Sequence, residues 1–140
     1  ARFILPALES LVRSEGITLE YGDTPSGARG VSEIGKITVF PSASDEERFS
    51  ILAHELAHEL LHGVQERMNI SRKVKELEAE ATAYAVCRQF GLETKSPSYL
   101  ALYRVEEIDI RASLERIVST GSKIIQGVEA RIQQRQRKAA

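Results

Sequence analysis

The stretch His54-Glu55-Leu56-Ala57-His58-Glu59-Leu60-Leu61-His62 decides how this chain is read. On a helix, His54 and His58 stand four residues apart, so both imidazoles leave the same face and can converge on one metal ion. Glu55 stands beside them, where a carboxylate can act as general base toward a metal-associated water. A catalytic zinc site needs three protein ligands and an open fourth position. His54 and His58 supply two of the three, and the chain has to provide another His, Glu or Asp.

His62 is the nearest remaining donor, but it lies about 12 Å along the axis from His54 at 1.5 Å per residue. One ion cannot be held by residues 54, 58 and 62 of an unbroken helix. His62 reads more simply as a helix-end residue whose imidazole complements the dipole. A role behind the ligands is the alternative. A third His at the sixth position after His58 is also absent, since that position is Val64.

The acidic run Glu76-Leu77-Glu78-Ala79-Glu80 opens a later helix and offers three carboxylates. Glu78 shares its face with Ala81, Thr82 and Ala85, small residues that allow another helix to come close. Glu76 and Glu80 read as solvated. Glu78 is therefore the expected third ligand, 20 residues after His58.

Outward from the metal motif, the helix that carries it should begin near Asp45, because Ser44 and Glu47 have capping-box spacing, and should end at Gly63. Phe49, Ala53, Leu56 and Leu60 form one apolar stripe along it, and Ile51, His54, His58 and Leu61 another, so the motif lies on a buried central helix. Upstream, Ala7 to Ser14 reads as a short helix and Ile17 to Tyr21 as a strand. Gly30 to Ile34 and Lys36 to Phe40 flank Gly35 as a hairpin, with Ile37 and Val39 toward the core. Downstream, Arg72 to Phe90 is helical and closed by Gly91, and Ser96-Pro97 opens another helix. From Leu114 to Ile132, apolar residues keep a helical period through Ile117, Val118, Gly121, Ile124, Ile125 and Val128. The basic run from Arg131 to Lys138 reads as a solvated helix end. The expected class is α+β, a small antiparallel sheet of about three strands packed on helices in a single domain spanning 1–140.

Composition narrows the function classes. The chain has 140 residues, 42% hydrophobic, enough for a real core, and a net charge of −1 gives no global field toward nucleic acid or anionic membranes. Cys87 is the single cysteine, so an intrachain disulfide is excluded and a reducing compartment is natural. No apolar run is long enough to span a bilayer, and the first residues lack the apolar core of a secretion signal, so a cytoplasmic location is expected. The chain opens on Ala1, as after removal of an initiator Met or as a piece of a longer protein.

With these residues in view, the stretch from about Gly16 to Ile125 resembles the ImmA/IrrE-like zincin metallopeptidases, most closely the metallopeptidase domain of ArdC-type antirestriction proteins. The resemblance is carried by the hairpin before Glu47-Arg48-Phe49, by the run from His54 to His62, and by Glu76-Leu77-Glu78-Ala79-Glu80-Ala81 leading into Tyr84-Ala85-Val86-Cys87. It implies a zincin-like fold, Zn²⁺ held by His54, His58 and Glu78, and Glu55 as general base. The implied activity is hydrolysis of peptide bonds in a specific protein substrate, with a regulatory protein the natural target for this type. ArdC-like proteins carry an additional single-stranded DNA-binding domain for which this chain has no room, so DNA binding does not transfer. The alternative function is an antirestriction or DNA- or protein-binding module with a mainly structural metal. For a peptidase, an extended substrate is expected along the sheet edge beside Lys36 to Phe40. Tyr99 and Tyr103 are candidate oxyanion donors, although packing on an amphipathic turn is the simpler reading. Mn²⁺ suits the same donor set as zinc.

Overall fold

The computed structural model describes residues 3–41, 44–94 and 110–139. Helix α1 (Ile4–Ser14) packs Leu8, Leu11 and Val12 into the core. The chain turns at Gly16, whose φ of 78° is the left-handed conformation that a side chain disfavours. Strand β1 (Thr18–Tyr21) follows, then a single 3₁₀ turn at Pro25–Gly27, then β2 (Gly30–Glu33) and β3 (Lys36–Val39) joined at Gly35.

The α+β class and the β2–β3 hairpin match expectation, but the sheet is mixed and not antiparallel. Its strand order is β1-β3-β2, with β1 parallel to β3 in the register Thr18↔Lys36 to Tyr21↔Val39. Hairpin geometry determines only the antiparallel pairing of β2 with β3, from Gly30↔Val39 to Glu33↔Lys36. The position of β1 depends on burial. The most apolar strand, with Ile37 and Val39 fully buried, takes the centre, and β2 is left on the outer edge.

Helix α2 (Asp45–Leu61) starts where Ser44 Oγ accepts a hydrogen bond from the Glu47 amide at 3.1 Å. Beyond Arg48 it has no exposed residue, as the two apolar stripes require. Phe49 is fully buried and meets Phe90 edge-on at 5.9 Å between ring centres. After Gly63 the chain forms a short helix, α3 (Val64–Asn69), which buries no residue and so leaves no apolar period to read. It is held by polar bonds. Glu66 accepts from the Gly63 amide at 3.0 Å, and Arg67 donates to the carbonyls of His62 and Ser32 at 2.7 and 2.8 Å.

Helix α4 (Arg72–Gln89) is capped by Ser71, whose hydroxyl accepts from the Val74 amide, and runs beside α2 with Ala79, Ala81 and Ala83 buried. The long α5 (Ile110–Ala139) lays Ile117, Gly121, Ile124 and Val128 on the core, packing against α1, α2 and α4. Leu114 and Val118, expected on the same stripe, are exposed. The helix that Ser96-Pro97 suggests lies outside the described residues.

Candidate metal centre

The buried face of α2 carries the candidate site. His54 and His58 stand one turn apart, ring centres 4.9 Å from each other, with Glu55 buried alongside. Helix α4 brings Glu76 across from them. Its two carboxylate oxygens divide between the histidines, Oε2 lying 3.4 Å from His54 Nε2 and Oε1 2.9 Å from His58 Nε2.

These three residues fit a metal. One donor atom from each lies within 4.8 Å of the others, and they are the single grouping of three or more His, Cys, Asp or Glu donors of this kind among the described residues. Around a tetrahedral zinc with bonds of roughly 2.0–2.2 Å, donors stand about 3.3 Å apart, so rotamer adjustments of an ångström or so suffice. Both histidines present Nε2, and the set of two imidazoles and one carboxylate leaves a fourth position open.

Glu78, the expected third ligand, is elsewhere. It is fully buried and points away from the His54–His58 face, with Oε1 2.9 Å from His62 Nε2. Its Oε2 accepts hydrogen bonds from Ser113 Oγ and Arg116 Nη2 on α5, each 2.5 Å long. Two residues along a helix rotate a side chain by about 200°, so Glu76 and Glu78 cannot share a face. The small residues near Glu78 mark the face that packs on other helices, and a side chain sealed there has no access to a cleft. The carboxylate grouped with the two histidines is instead Glu76, on the face of α4 that borders the cleft. His62 likewise departs from a simple helix-end role. It is buried, and its Nδ1 lies 3.0 Å from His58 Nδ1.

Electrostatics follow from this packing. Hydrogen bonds from His54 and His58 hold the Glu76 carboxyl well below the usual range. Burial opposes charge on His54, but its hydrogen bond to Glu76 and the charges of Glu55, Glu76 and Glu80 outweigh that and raise its pKa. Burial dominates at His58 and lowers its pKa against the pull of Glu76. Burial also pushes Glu55 up to about 7, with His54 working the other way. For Glu78, burial favours the neutral acid. The combined hydrogen bonds from His62, Ser113 and Arg116 overcome it and lower the pKa.

The metal-site residues open onto a cleft of about 680 Å³. His54, Glu55 and His58 line it with Gly30, Val31 and Ser32 of β2 on one side and Arg72, Lys75 and Glu76 of α4 on the other. A Cβ on Gly30 would come within 2.7 Å of Ile51 Cγ2 and 3.0 Å of Glu55 Cγ, so glycine is what lets β2 approach α2 this closely. The strand bordering the cleft is thus β2. Lys36 to Phe40, the expected edge, contains β3, whose backbone is paired on both sides. Tyr99 and Tyr103 lie outside the described residues.

No family model matches the chain, and no solved structure matches it. An uncharacterized protein of Bacillus anthracis is 30% identical over 111 residues, covering 76% of this chain and 19% of that protein. The chain therefore spans about a fifth of the length of this relative. Among the described residues, no helix is long and apolar enough to cross a membrane.

Proposed function

We propose that the protein is a zinc-dependent metallopeptidase of the ImmA/IrrE-like zincin type, an endopeptidase acting on a specific cytoplasmic protein. The observation that carries this reading is the convergence of His54, His58 and Glu76 at the floor of an open cleft, with Glu55 beside them and an edge strand along one wall.

His54 and His58 through Nε2, together with the Glu76 carboxylate, would hold the ion. Bound there, zinc would supply Lewis acidity toward a carbonyl and lower the pKa of a coordinated water to about 7. Glu55 would take the proton as water attacks the peptide carbonyl and return it to the leaving amine. The outer edge of β2, where Arg67 already donates to the Ser32 carbonyl, would bind an extended peptide through its remaining main-chain groups and bring the scissile bond over the cleft. Burial of Glu55 against Gly30 holds the base on the side of the cleft where that strand would lie.

Replacing Glu55 by Gln tests the assignment. The variant should keep its fold and its zinc while hydrolysis of a mixed peptide library, followed by mass spectrometry, drops at least 100-fold. Cleavage unchanged in Glu55→Gln would remove Glu55 from the mechanism.

A further inference from the structure

The buried polar groups behind the metal-site histidines form a continuous chain that the hydrolytic scheme leaves unused. His58 Nδ1 meets His62 Nδ1 at 3.0 Å, His62 Nε2 meets Glu78 Oε1 at 2.9 Å, and Glu78 Oε2 meets Ser113 and Arg116 at 2.5 Å. His62, Glu78 and Ser113 are all buried, so no solvent shell competes for these bonds. Helices α2, α4 and α5 each contribute to it.

The geometry points to a positioning relay in which His62 and Glu78 orient His58 for metal binding and tie that ligand to α5. This rests on the assignment of His54, His58 and Glu76 as ligands. Two ring nitrogens facing each other share one proton. If His58 gives the lone pair of Nε2 to a metal, its own proton sits on Nδ1, and His62 Nδ1 must be the acceptor. The His62 proton then sits on Nε2 and is donated to Glu78, whose second oxygen accepts from Ser113 and Arg116. From His58 to Glu78, each ring nitrogen and carboxylate oxygen then has one role. The outer hydrogen bond of a metal-binding His normally ends on a carboxylate or carbonyl and fixes both tautomer and ring orientation. Here an intervening imidazole extends that bond, which lets a carboxylate on the packed face of α4 act on a ligand in the cleft. Glu78 thus influences the site without touching the ion.

The relay is tested on the zinc-loaded wild-type protein by long-range ¹H–¹⁵N correlation of its histidines. The expected spectrum has His58 protonated at Nδ1 and His62 protonated at Nε2 alone. A proton on His62 Nδ1 would overturn the relay. Zinc dissociation constants, from competition with a chromophoric chelator, give a second readout. His62→Phe should bind zinc roughly 10- to 100-fold more weakly. His62→Gln, which keeps an acceptor toward His58 and a donor toward Glu78, should recover to within a fewfold of wild type. A packing role alone would lower the melting temperature of metal-free His62→Phe and leave its zinc affinity at the wild-type value, and that result would also overturn the relay. If His62→Phe does not fold, the wild-type tautomers decide. Failure of the wild type to bind zinc is a different outcome, since it removes the ligand assignment and the relay with it.

Discussion

Two glutamates two residues apart on α4 have different surroundings at this candidate site. Glu76 is half-exposed and bonds to His54 and His58, whereas Glu78 is sealed against His62, Ser113 and Arg116. Their truncations should therefore fail differently. Glu76→Ala should weaken zinc binding by at least 100-fold and leave the urea midpoint of the metal-free protein nearly unchanged. Glu78→Ala should cost about 2–4 kcal/mol in the metal-free protein, because it leaves the buried side of Arg116 and the His62 ring without their acceptor. Urea unfolding of the two variants side by side distinguishes these outcomes. His54, Glu55 and His58 were legible in the sequence because helical spacing alone brings them together. Picking the glutamate required knowing which face of α4 borders the cleft. Small neighbours correctly identified the buried carboxylate, but the carboxylate grouped with His54 and His58 is the one on the face of α4 that borders the cleft.

At the scale of elements, α1, α2, α4 and α5 were readable from their apolar period and caps, and α2 begins at the residue that Ser44 and Glu47 indicate. The sheet was readable only locally. Gly35, with φ of 87°, marks the β2–β3 turn, yet nothing in the strand sequences states that β1 lies parallel to β3 on its far side. That arrangement comes from burying Ile37 and Val39 between two neighbours, a tertiary effect. Helix α3 had no signal, because it is held by Arg67 and Glu66 and not by a buried stripe. The placement of β2 at the edge gives Gly30 its importance. Gly30→Ala should push β2 from α2, cost about 1–3 kcal/mol by overpacking, and displace Glu55. The check is peptide hydrolysis together with zinc content. Activity should fall at least tenfold while zinc stays bound, since the new methyl meets Glu55 and not a ligand.

For the whole molecule, α2 is the central support, packed by α1, the sheet, α4 and α5, so the site is coupled to global stability. Cys87 on α4 reports on that core. Burial pushes its thiol from an ordinary 9.0 up to about 11, with a hydrogen bond to Ser50 acting in the opposite sense. Between these values the unfolded chain loses the proton and the folded chain keeps it. The unfolded state then binds fewer protons, so stability falls as pH rises through this window and is fully present below it. The contribution is at most about 2–3 kcal/mol. Urea unfolding of wild type and Cys87→Ala from pH 8 to pH 11 should show the wild type losing roughly that much more than the variant. Parallel loss in both proteins would mean that the thiol is not held protonated by the core.

The most direct test of the metal site is the zinc content of protein purified without added metal or chelator, measured for the wild type, His54→Ala and Glu76→Ala. About one zinc per wild-type chain, absent from both variants, is the expected result. A wild-type protein that holds no metal and takes up none when zinc is supplied, or a Glu76→Ala variant that retains a full equivalent, would contradict the assignment of His54, His58 and Glu76 as the metal site.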